Sequence, residues 1–155
     1  MANNLLPAAQ GASSTLVDGA AEAAIWTEHA ASVKSDTDTL LRVSALPTQV
    51  GPLLGLLDAQ ASGVRWRLAG RALLGVILVS LAGEPSAVAG VIAAVRRLTA
   101  SAAGHVAVLM APAAVAASTP AWDDLGGAAA VMRAVKAQFD PHGTLCPGGG
   151  PGGLA

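Results

Sequence analysis

The sequence predicts an α+β domain, a ferredoxin-like βαββαβ antiparallel sheet with helices on one face, followed by a C-terminal helix and a glycine-rich tail. Three observations carry this. Short β-rich runs and helix-period runs follow one another in the order β-α-β-β-α-β between Thr39 and Met110. Prolines and glycines sit at the joins between runs rather than inside them. The chain, at 155 residues, is long enough for one core. On this reading residues 1–38 are a loose N-terminus with a short helix, 39–111 the ferredoxin-like domain, and 112–155 a loop, a helix and the tail.

Each element has its own signal. Val17–Ser32 is alanine-rich and reads as a short helix, with Asp18 near its positive end. Thr39–Leu46 carries β-type residues and stops at Pro47. In the next segment Val50, Leu53, Leu54, Leu57 and Ala61 fall at helical spacing. Val64, Trp66 and Leu68 alternate with Arg65, Arg67 and Ala69, as along a strand. Gly70 and Arg71 are read as the turn of a hairpin, and Leu73–Leu81 as its continuous apolar second strand. Pro85 suits the first position of a helix whose stripe is Val88, Val91, Ile92, Val95 and Leu98. His105–Met110 is the last strand, stopped by Pro112, and Ala128–Phe139 the last helix, with Val131, Met132, Val135 and Phe139 on one side.

Composition excludes several functions. The net charge of -1 leaves no electrostatic footprint for nucleic acid, and 3 % aromatic residues leave no stacking platform. Charged residues are only 12 % against 53 % hydrophobic, so part of the apolar surface is expected to meet another domain or subunit. The most apolar run, Leu73–Ala82, is about half of a membrane span. No signal peptide is read at the N-terminus. The expectation is a cytoplasmic chain, or one peripheral to a membrane-associated complex. His29, His105 and His142 are too scattered for a metal site, and Cys146 has no neighbouring base that would make it a nucleophile. Asp123 and Asp124 read as a loop cap before the last helix. Arg42, Arg65, Arg67 and Arg71 are candidates for a patch that holds a carboxylate, Arg65 and Arg67 foremost because they share a strand face. A solvated outer sheet face explains the same pair equally well.

The stretch Phe139–Gly149, FDPHGTLCPGG, ends the last helix. Asp140-Pro141 breaks it, Gly143 permits a left-handed turn, Leu145 is placed to dock inward, and Pro147-Gly148 turns the chain again. The continuous segment Val131–Ala155, VMRAVKAQFDPHGTLCPGGGPGGLA, resembles LMxxLKxxFDPxGxLNPGR, the C-terminal signature of FAD-linked oxidases of the vanillyl-alcohol oxidase type, and among them the FAD-binding subunits of bacterial glycolate oxidases. LLRVSALPTQV, AGRALLGVILVSL, HVAVLMAPAAV and AWDDLGG resemble further segments of that family in the same order. Cys146 stands where the family has asparagine, and Gly149 where it has arginine.

The resemblance implies the cap and C-terminal part of a flavin-dependent 2-hydroxy-acid oxidase or dehydrogenase. Its cofactor would be FAD and its substrate a small 2-hydroxy acid. Its partner would be an FAD-binding domain or other oxidase subunits. No glycine-rich loop between a strand and a helix corresponds to that domain, so this chain by itself is expected not to hold FAD tightly or to turn over. Leu145, Cys146, Pro147 and Gly148 would face the cofactor domain. Related branches use a histidine-rich metal motif, which is not found in this sequence. The other reading of the same chain is a non-catalytic ferredoxin-like module that binds a partner subunit.

Overall fold

The computed structural model describes residues 15–33, 37–60, 63–124, 126–145 and 150. Among the described residues the fold is α+β, a four-stranded antiparallel sheet with five helices. Helix α1 (Gly19–Val33) precedes β1 (Thr39–Ser44), a 3-10 turn (Pro47–Gln49) and α2 (Val50–Ala59). The hairpin β2 (Val64–Arg71) and β3 (Val76–Gly83) leads into α3 (Pro85–Ala100), and β4 (His105–Met110) follows. The short α4 (Ala113–Ala116) and α5 (Ala128–Phe139) follow. The sheet order is β2-β3-β1-β4, every neighbouring pair antiparallel.

The core lies on one face of the sheet. Leu41 and Val43 of β1, Ile77, Val79 and Leu81 of β3, and Val106 of β4 turn inward. They meet Leu53 and Leu57 of α2 and Val88, Val91, Ile92 and Val95 of α3, all buried. The stripe read along α3 is therefore the stripe it buries, with Leu98 half-buried at its end. Pro85 opens α3 at its first turn, where a missing N–H leaves no gap in the ladder. Thr99, buried at the other end, hands its hydroxyl to the Val95 carbonyl at 3.1 Å, so its burial leaves no orphan donor.

The hairpin differs from its sequence reading. Gly70 and Arg71 are not the turn; both remain in β2, paired with Ile77 and Val76. Leu73 and Leu74 are not strand residues; they sit in a 3-10 turn (Ala72–Leu74), 89 % and 67 % exposed. The apolar run Leu73–Leu81 gives no periodicity by which to place its first strand residue. Gly75 places it instead. It adopts a left-handed φ of 65° and its N–H donates to the Ala72 carbonyl at 3.1 Å, so β3 begins only at Val76. The first strand also stops early: the Ala45 N–H turns away to the Gly75 carbonyl at 2.9 Å, and Leu46 is exposed before Pro47.

Among the described residues no helix is long and apolar enough to cross a membrane.

Candidate functional site

Strand alternation sends Arg65 and Arg67 to the sheet face opposite the core, and both are exposed there. They line a groove with Asp38, Trp66 and Ser80. The two arginines are not equivalent. Arg67 pairs with the Asp38 carboxylate at 3.0 Å, which also accepts the Ser80 hydroxyl at 3.0 Å. Half of the sequence-predicted carboxylate pair is thus already engaged by a carboxylate of the chain itself. Arg65 has no such partner among the described residues.

The loop before α5 is stapled to the domain by Asp123. Its Oδ2 accepts the Val106 N–H at 2.6 Å, at the start of β4. Its Oδ1 lies 2.7 Å from Arg96 Nε of α3, an ion pair without the alignment of a hydrogen bond. Arg96 also donates to the Pro120 carbonyl at 2.6 Å, and the Val108 N–H donates to the Ala121 carbonyl at 2.7 Å. Trp122 forms a single antiparallel bridge with Ala107. Asp124 receives the Gly126 N–H at 2.9 Å. The two aspartates therefore hold the loop, but neither caps α5, whose preceding residue is Gly127 with no side-chain cap. The sequence pairs Asp123 with its neighbour; only the fold shows that its partners lie 27 and 17 positions upstream, on α3 and β4.

The helix stop behaves as its sequence predicts, with one reversal. Helix α5 ends at Phe139, and Asp140 leaves the helical region (φ -138°, ψ 64°) before Pro141. Gly143 takes a left-handed φ of 62°. Asp140 itself is 7 % exposed and organises the turn. Its carboxylate accepts the Thr144 N–H at 2.8 Å, the Thr144 hydroxyl at 3.1 Å and the Leu145 N–H at 2.9 Å, and pairs with the Lys136 ammonium one turn back. Lys136 reaches on to the Leu145 carbonyl. Leu145 does not dock inward; its backbone is held by these bonds while its side chain stays 64 % exposed. Cys146, Pro147 and Gly148 lie outside the described residues.

The Lys136 ammonium, with the Leu145 and Thr144 donors, holds the Asp140 carboxyl well below the usual carboxylate range, against the opposing pull of desolvation. A depressed folded value means that the turn's contribution is present above the unfolded value near 4 and is lost as pH falls through it and below. Asp140→Asn turns an amide donor toward at least one group that already donates. Hydrogen exchange at neutral pH should show the Leu145 and Thr144 amides exchanging about tenfold or more faster in this variant. The difference should shrink as pH drops below about 4. Equal protection in both proteins at neutral pH would mean that the backbone holds the turn without the carboxylate.

Along α5 no side chain is buried. Val131, Val135 and Phe139 are 65 %, 52 % and 80 % exposed, and Met132 39 %. The apolar side of this helix is bare, and Leu145 beyond it is exposed as well. His29 stands edge-on to Trp26 on α1, His105 is exposed at the start of β4, and His142 is exposed in the turn. No cluster of metal-ligating side chains forms among the described residues.

Comparison of the chain with protein-family models, with curated proteins and with solved structures found no match.

Proposed function

We propose that this chain is the cap and C-terminal part of a flavin-dependent 2-hydroxy-acid oxidase or dehydrogenase, and that it works with an FAD-binding domain. One observation carries the reading. The helix and turn that resemble the FAD-linked oxidase signature also leave a run of apolar side chains uncovered, Val131, Val135, Phe139 and Leu145. A bare apolar helix face running into a rigid turn is what a domain seam presents when its other half is separate. The FAD would supply the two-electron oxidation of the hydroxy acid. This chain would supply a wall that excludes water, and cationic side chains on its open sheet face that orient a carboxylate, Arg65 among them.

The test has two arms. The chain purified alone should carry no flavin absorbance. Co-expressed with the FAD-binding domain of a glycolate-oxidase FAD subunit, it should co-purify with it and support dye reduction by glycolate or lactate. Stoichiometric flavin on the isolated chain, or no association of the two parts, would sink the proposal. The bare α5 face also suits a non-catalytic interaction module. Capture of a partner without flavin chemistry, with no association in the second arm, would favour that reading.

A further inference from the structure

A second depression on the sheet face opposite the core lies over β1 and β4, away from the Arg65 and Arg67 groove. It is a cleft of about 310 Å³, floored by strand residues and walled by the loop and helix that follow α4. We infer that this cleft is a binding site for a small carboxylate with an apolar body, its charge taken by Arg42 and its body by Trp122 and Met132.

The register builds the polar end. Arg42 and Ser44 of β1 stand opposite Ala107 and His105 of β4. Leu41, Val43 and Val106 face the core, so these alternate residues face the other way. Arg42 and His105 are diagonal neighbours across the pair, roughly 7–8 Å apart at the backbone, a spacing that one carboxylate spans between two long side chains. Ala107, opposite Arg42, is too small to fill the space between them. Among the described residues Arg42 has no ion pair or hydrogen bond, unlike Arg67 and Arg96. Asp123 also lines the cleft, but its two oxygens are engaged by Arg96 and the Val106 N–H, so its charge is answered from behind.

The rest of the lining is apolar. Trp122, anchored through its backbone to Ala107, gives one wall, and Met132 of α5 another. The first turn of α5 begins at the cleft with Ala128. It carries no acidic residue or side-chain cap, so its dipole adds to the positive sign. An unpaired guanidinium beside an indole and a thioether selects an anion that also has something to bury; a bare small anion uses only half of the site. A phosphate-sized dianion finds one fixed cation and too much apolar wall. The inference needs only this chain, so it stands or falls apart from the flavin reading.

The probes are phenylacetate, its uncharged analogue phenylacetamide, and acetate. Each is titrated into the full chain by calorimetry and by NMR of the indole N–H and backbone amides. Phenylacetate should bind saturably and shift the Trp122 indole and Ala107 amide. Phenylacetamide and acetate should each bind at least about tenfold more weakly, the first for want of the ionic hydrogen bonds and the second for want of a body. Arg42→Gln should weaken phenylacetate by about tenfold or more without changing the melting temperature, because Arg42 is exposed and unpartnered. Arg97→Gln, an exposed change on α3 across the sheet from the cleft, should leave binding as it is. The inference is overturned if phenylacetate does not saturate, or if phenylacetamide or acetate binds as tightly. It is also overturned if Arg42→Gln is silent, or if Arg97→Gln is the variant that loses binding.

Discussion

Gly75→Ala should destabilise the domain by about 3 kcal/mol, although it adds only one methyl group, at a buried turn glycine. Two costs combine. A left-handed φ of 65° costs an L-residue about 1–2 kcal/mol. The new Cβ would also fall on the Ala45 carbonyl oxygen, a backbone atom that cannot rotate away. Moving the turn to relieve the overlap breaks the 2.9 Å bond from the Ala45 N–H to the Gly75 carbonyl, which ties the end of β1 to the hairpin. For a chain of this size that loss lowers the melting temperature by roughly 6–12 °C. Gly90→Ala on α3 is the control. There a Cβ meets nothing within 4 Å, the backbone is helical, and alanine should be neutral or up to about 1 kcal/mol stabilising. If thermal melts place the two variants together, the hairpin turn is more pliable than its geometry says.

Phe139→Asp should act in the opposite manner, leaving the chain's stability almost untouched and its association damaged. Phe139 is 80 % exposed and is the one phenylalanine of the sequence. Its substitution removes no core contact, so the melting temperature should stay within the range of ordinary surface changes. If α5 and its turn form the seam with an FAD-binding domain, a large aromatic at the end of the apolar face is placed as an anchor. Anchors of this kind cost 2–4 kcal/mol on truncation, so affinity for that domain should fall by about thirtyfold or more. Val135→Asp, one turn earlier and 52 % exposed, should repeat the effect. Analytical ultracentrifugation of mixtures gives the affinities. Two variants that both bind as the unaltered chain does would place the seam elsewhere. A clear fall in melting temperature would instead mean that α5 packs more tightly against its own domain than its exposure indicates.

Several features were legible without the fold because they are written in neighbouring residues. The stripe Val88, Val91, Ile92 and Val95 follows from helical period alone, and it is the buried face of α3. The stop after Phe139 follows from Asp140-Pro141, and the left-handed turn from Gly143. The alternation that exposes Arg65 and Arg67 follows from strand period. Such signals depend on the spacing of a few adjacent positions, and nothing distant competes with them.

What only the tertiary structure decided depends on partners far apart in the chain. The start of β3 could not be read from an unbroken apolar run; it was set by Gly75 closing against Ala45, thirty positions away. The engagement of Arg67 by Asp38, and the lack of a partner for Arg42 among the described residues, come from the order of the strands. Arg42 and His105, 63 positions apart, become diagonal neighbours only because β1 pairs with β4. Leu145 reads as a residue to bury, yet the Asp140 carboxylate captures its backbone and leaves its side chain outside. Sequence period determines which face of an element is apolar. Whether that face is covered is a property of the packing, and for α5 the packing of this chain leaves it bare.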